Sequence, residues 1–188
     1  MRPDKVAIIG TSGSTYDQAP WGNEEWDIWA LGCDPSFHRA NVLFEMHKWE
    51  TIEGYPIGDG QNRDEIVSYL NFLETPVYMI EQNPDIPLSV AYPFEDAAKA
   101  IHMPLRADGD GGYFESSIGY MLALCVLWKV PQVGIWGVDL ASEGEYAYQR
   151  PNAEYMLGLL RGMGSKVYVP QESAIFSTEF INPPYRYQ

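Results

Sequence analysis

From Glu115 to Lys129 the chain is apolar on nearly every face. A helix without a polar side must be buried, and at about 15 residues it is too short to cross a bilayer. Pro131 ends it, because the proline ring blocks the i−4 carbonyl and brings no N–H. Next comes Val133-Gly134-Ile135-Trp136-Gly137-Val138, a continuous apolar run that stops at Asp139. Such runs form strands buried on both faces of a parallel sheet. Helix, turn, buried strand and strand-end acid predict an α/β fold: a doubly wound, mostly parallel sheet with helices on both faces. In open sheets of this kind ligands bind outside the carboxyl ends of the strands, which is where Asp139 falls.

The rest of the chain supplies the partners. Lys5–Gly10, Trp26–Leu31, Asn41–Met46, Pro76–Ile80 and Lys166–Val169 read as further strands. Arg63–Leu73 carries apolar residues at helical spacing, Phe94–Ile101 reads as a short helix, and Pro151 suits the first position of a helix running to about Arg161. Residues 52–62, the three-proline stretch Gln82–Pro93, residues 108–112 and Ala141–Gln149 read as loops or connectors. The tail from Phe180 to Gln188 is expected to wrap the surface, and its aromatic rings suit a homo-oligomer interface. No repeat or linker divides the 188 residues, so a single domain is expected.

Charge narrows the partners. Acidic residues outnumber basic ones 26 to 12, a net charge of −14 that repels duplex nucleic acid over most of the surface. A small anion is still compatible with a local cluster of N–H groups. Cys33 and Cys125 make no disulfide framework, which points to a reducing compartment. The opening MRPDKVAIIG reaches a strand within five residues and has no leader pattern. No stretch reads as a membrane span. The expected location is cytoplasmic, or the host cytoplasm for a phage-encoded chain.

Several residues stand where chemistry is done. The loop Gly10-Thr11-Ser12-Gly13-Ser14-Thr15 is either an anion nest or a plain strand-to-helix turn. It is neither a P-loop nor GxGxxG. Ser116 and Ser117 open the apolar helix, where an oxyanion finds unpaired N–H groups; the alternative is that one of them simply caps the helix. Asp139 suits a ribose hydroxyl, a base or a metal, or it caps the next turn. Tyr146 and Tyr148, taken as extended, share one side and could stack on a base or close over an apolar space. Arg150 is a phosphate clamp or a partner for a surface glutamate. His47 and Glu45 alternate at the end of the third strand, so both reach the crevice, as a general base or as ordinary strand-end polar residues. Cys33, Asp34, His38, Glu45 and His47 lack the close-spaced pairs of a zinc site, and no metal ligand set is expected.

Taken together, GTSGS, ESSIGYMLAL, GIWGVDL and EYAY resemble a Rossmann-like group that holds the bacterial CMP-sialic acid sialyltransferases and the 6-hydroxymethylpterin diphosphokinase-like proteins. In the sialyltransferases the corresponding stretches read GNGPS, ITSGVYM, SGIDFY and YAF. The run from YFESS to EYAYQRP is also similar to uncharacterised tailed-phage proteins, a likeness that covers nearly the whole chain. By position the resemblance implies that Gly10, Gly13 and Ser14 form a nucleotide-phosphate loop. It likewise implies that Ser117 contacts a donor, Asp139 is the strand-end acid and Tyr146 bonds the donor phosphate. The chain departs from the pattern in three places. Thr11-Ser12 replaces the loop asparagine, Gly32 falls where a second asparagine is expected, and no histidine follows His102.

These readings converge on a nucleotide-type small-molecule ligand. The expected cofactor is a nucleotide or nucleotide-sugar, with Mg2+ compatible. The chain is expected to be a small, glycosyltransferase-like transferase using a nucleotide-activated donor. Two alternatives stay open: a non-catalytic phage-type binder that sequesters a nucleotide or signalling molecule, and a structural or assembly protein with a vestigial pocket.

Overall fold

The computed structural model describes residues 2–32, 37, 39–47, 63–103, 113–141 and 146–176. Seven strands form one sheet: β1 (Lys5–Ile9), β2 (Asp27–Leu31), β3 (Val42–Glu45), β4 (Val77–Met79), β5 (Ser89–Ala91), β6 (Gln132–Trp136) and β7 (Lys166–Tyr168). Their order is β5-β4-β3-β2-β1-β6-β7, and every neighbouring pair is parallel. Among the described residues four α-helices accompany them: α1 (Arg63–Leu73), α2 (Phe94–Ala100), α3 (Ser117–Trp128) and α4 (Tyr146–Gly162). The α/β, Rossmann-like expectation holds.

Strand alternation sorts the core into two layers. Val6 and Ile8 of β1 point toward α2, α3 and α4, while Ala7 and Ile9 point toward α1, Phe37 and Ala40. Helix α3 explains its own composition. Every residue from Ile118 to Val126 is buried, because α2 and α4 flank it and the sheet lies beneath. Burying each large side chain there is worth roughly 1.5–3 kcal/mol. The helix stops at Lys129, whose backbone is left-handed (φ 54°) and whose N–H returns to Cys125 and Val126 carbonyls. Pro131 follows two residues later, the usual sequel to such a stop.

Two expectations are corrected. The connector Gln82–Pro93 contains β5, a three-residue edge strand paired with β4. Three residues are too few to show a period, and the flanking Pro87 and Pro93 hide the strand. Helix α4 begins at Tyr146, five residues before Pro151, which therefore sits inside it. Pro151 forfeits its hydrogen bond to the Ala147 carbonyl, and the rest of the helix compensates through Ala153, Met156, Leu157 and Leu160, all fully buried. The expected loops at 52–62 and 108–112 and the tail 180–188 lie outside the described residues. No helix among the described residues is long and apolar enough to cross a membrane.

Candidate functional site

Strand β1 leads away through β2 to β5, whereas β6 and β7 continue on its other side. The carboxyl ends of β1 and β6 therefore bound a topological switch point, the standard ligand crevice of such sheets. There the two backbones close on each other. Gly10 N–H donates to Trp136 O (2.9 Å) and Ser12 N–H to Gly137 O (2.8 Å). The Gly137 N–H donates to Thr15 Oγ1 (2.7 Å), a hydroxyl on a residue only 1% exposed. Gly137 has φ +63°, and a Cβ placed on Gly10 would lie 2.5 Å from Gly137 O. Glycine is required at both positions.

Asp139 ties three segments together. The Ser12 hydroxyl donates to its Oδ2, and its Oδ1 accepts from Ser14 Oγ (2.9 Å) and from the Ala174 N–H (2.9 Å). Burial is the largest single influence on this carboxyl and acts upward. The Ser12, Ala174 and Ser14 donors together outweigh it and hold the group below the usual Asp value. Next to it, Ser173 Oγ donates to Val138 O (2.6 Å), and Ile175 is fully buried. The stretch after β7 is thus stapled to the end of β6.

Across the crevice, α3 presents its amino end. Ser116 is its N-cap: its backbone is extended, and its Oγ accepts from Gly119 N–H (3.1 Å). Ser117 is the first helical residue. Asn152, fully buried on α4, donates from Nδ2 to Tyr113 O (2.5 Å) and lies against Gly119. The α3 amino end is thereby clamped to α4. An aromatic cluster backs it. Phe114 and Tyr120 stack 4.8 Å apart, and Tyr92 meets both edge-on. The Tyr92 hydroxyl donates to Tyr120 O (2.8 Å). Burial pushes its pKa well up and keeps it a donor.

At the end of β3, Glu45 is completely buried and His47 is half exposed. Glu45 Oε1 bonds His47 Nδ1 (2.5 Å) and accepts from the His47 N–H (3.3 Å), while Glu45 Oε2 has no hydrogen-bond partner among the described residues. A buried polar atom is costly without a partner, and the imidazole and the His47 N–H supply one to Oε1.

These elements enclose a cleft of about 720 Å³, within the roughly 300–1,000 Å³ usual for small-ligand sites. Its wall includes Gly10, Thr11, Ser12, His47, Ser116, Ser117 and Asp139, residues drawn from four separate stretches of sequence. Gly13, Ser14, Glu45 and Arg150 are not on the described wall. Ser14 and Glu45 stand one bond behind it, on Asp139 and His47. Arg150 Nε donates to Glu154 Oε1 (2.8 Å), one helical turn further along α4. The backbone of Tyr146 and Tyr148 is helical, which corrects the extended pair; their side chains lie outside the described residues, as do Cys33, Asp34 and His38. Among the described residues no group of three or more His, Cys, Asp and Glu is gathered as for a metal ion.

The sequence names Thr15 only as the end of the Gly10–Thr15 loop and gives Gly137, Phe114, Glu115 and Gln149 no site role. Gly137, Phe114, Glu115 and Gln149 line the cleft, and Thr15 and Gly137 hold the β1–β6 junction. Gly137 had a signal in retrospect: a glycine breaking an apolar run just before the strand-end acid marks a close backbone approach. Comparisons with family models, curated proteins and solved structures give no match to this chain.

Proposed function

We propose that the chain binds a nucleotide-type ligand in the switch-point cleft and transfers a group from it. His47 is the general base, and Glu45 positions its ring. The observation that carries this reading is the His47–Glu45 pair. A half-exposed imidazole on the cleft wall is oriented by a fully buried carboxylate, as a base is by its orienting group. Held in this way, the imidazole takes the acceptor's proton. The wall supports the ligand class: apolar Leu31, Met46 and Ile118 suit a flat base, and Asp139 suits a ribose or base donor.

The test is a thermal-shift panel of nucleotides, nucleotide-sugars and pterins, with and without Mg2+, followed by donor consumption. A ligand at 100 times its Kd should add about 2.7 kcal/mol of stability. His47→Ala should keep the shift and lose roughly 10²–10⁴ in turnover. A shift without turnover in the unaltered protein would leave a sequestering binder and sink the transferase; no shift with any compound would sink the reading whole.

A further inference from the structure

We infer that the two ends of the sheet are complementary surfaces and that copies of this chain join head to tail, the β5 end of one against the β7 end of the next. The inference is independent of what the cleft binds.

Apolar exposure marks both ends. Among the described residues, the large apolar side chains left exposed are Phe72, Leu88 and Val90 in one group and Met163, Tyr168 and Phe176 in another. The first group gathers at β5, an end strand of the sheet: Val90 is its central residue and Leu88 immediately precedes it. Asn71 Nδ2 donates to Asp85 O (2.8 Å), which brings the end of α1, with Phe72 at 83% exposure, beside the approach to that strand. The second group gathers at β7, the other end strand. Tyr168 closes β7, and Met163 lies in the turn that leads from α4 into it. Phe176 sits under the Arg161 guanidinium, whose carbon is 5.4 Å from the ring centroid. Exposed apolar residues scattered singly are ordinary on a monomer, whereas groups of them mark association surfaces.

Charge decides which end meets which. From Asp64 to Ala98, the stretch that contains β5, the chain has seven Asp and Glu and no Lys or Arg. From Tyr155 to Gln171, the stretch that contains β7, it has Arg161 and Lys166 and no Asp or Glu. Both of these cations are exposed. In a chain of net charge −14 such a basic end is a local exception. Two β5 ends therefore repel, and so do two β7 ends, whereas β5 against β7 attracts. A lysine on an end strand ordinarily discourages pairing, but opposite an acidic surface it favours it. Both end strands run parallel to their neighbours, so a β7 laid parallel to the β5 of another copy continues the sheet in the same sense. The two surfaces differ, so the contact repeats into longer chains unless its rotation closes a ring.

The experiment is sedimentation velocity of the full chain over a wide concentration range at physiological salt. The average mass should rise with concentration and pass that of a dimer. Two double variants at exposed positions separate the ends: Phe72→Ser with Leu88→Ser at β5, and Met163→Glu with Lys166→Glu at β7. Unchanged circular dichroism and melting temperature confirm that each still folds. In either variant alone the association constant should fall about tenfold or more. An equimolar mixture should recover the original affinity and stop at a heterodimer, because each variant brings one intact end. A monomer at every concentration overturns the inference. So does a dimer that survives in either variant, since like ends would then be meeting, and so does a mixture that associates no better than its parts.

Discussion

Gly10 and Gly137 sit so close at the ends of β1 and β6 that neither can carry a side chain: each Cβ would strike the other's backbone. Gly137 is further confined by its left-handed φ of +63°. Gly137→Ala should therefore cost about 1–3 kcal/mol from the backbone conformation alone. Gly10→Ala should cost at least as much through the clash. Urea denaturation of the two variants checks this, and an unchanged midpoint for either would contradict the close approach.

Thr15 gives a separate handle on the same junction. Its buried hydroxyl is the acceptor for the Gly137 N–H. Thr15→Val keeps the volume and removes the acceptor, leaving a buried N–H unpaired at a cost of about 1–3 kcal/mol. Thr15→Ser retains the oxygen and should recover most of that loss. Comparing the midpoints of the two variants separates the bond from the packing.

Acid should weaken the Asp139 clamp. Its native pKa lies below the ordinary value of about 3.9, so its charge-dependent stabilisation is fully present above that value. It is lost as pH falls through the lowered native pKa. Asp139→Ala should be less stable than the unaltered protein by about 1–2 kcal/mol at pH 7, a figure discounted for the carboxyl's partial exposure. The difference should shrink on acidification below about pH 4. Paired denaturation curves across that range decide it, and a pH-independent difference would contradict the clamp.

Glu45 should matter more to turnover than to stability. Its Oε2 is buried and has no hydrogen-bond partner among the described residues. Glu45→Met, similar in shape, removes the acceptor of the His47 ring and N–H, and because His47 is half exposed and can turn to water the change should cost no more than about 1 kcal/mol. The same change releases the His47 ring and should lower turnover roughly 10-fold or more without comparable loss of ligand binding. A Glu45→Met protein destabilised well beyond that would mean that the carboxylate holds the fold rather than the imidazole.

The layers of this fold were legible because burial leaves a mark on composition. Helix α3 has no polar face since it is surrounded, and β1 and β6 read as unbroken apolar runs since both their faces are covered. Strand β5 escaped because it is short, at the edge and between prolines. The start of α4 was misplaced because Pro151 imitates a first-turn residue. In the site, Glu45 and His47 were readable as a pair from the two-residue period of a strand. The Asp139 clamp was not readable, since its hydroxyl donors come from 125 and 127 residues earlier. No local pattern carries information across that distance; only the folded sheet brings Ser12 to Asp139.

The placing of β1 between β2 and β6 also has a consequence for how the chain is made. On a ribosome Val6 emerges 127 residues before Val133, its partner across the sheet. At about 5–20 residues per second, one side of β1 waits on the order of ten seconds for that partner. During that interval an apolar strand presents an open edge of the kind that invites association with other nascent chains. Residues that slow the pairing of β1 with β6 should thus lower the yield of protein in cells more than its final stability would suggest.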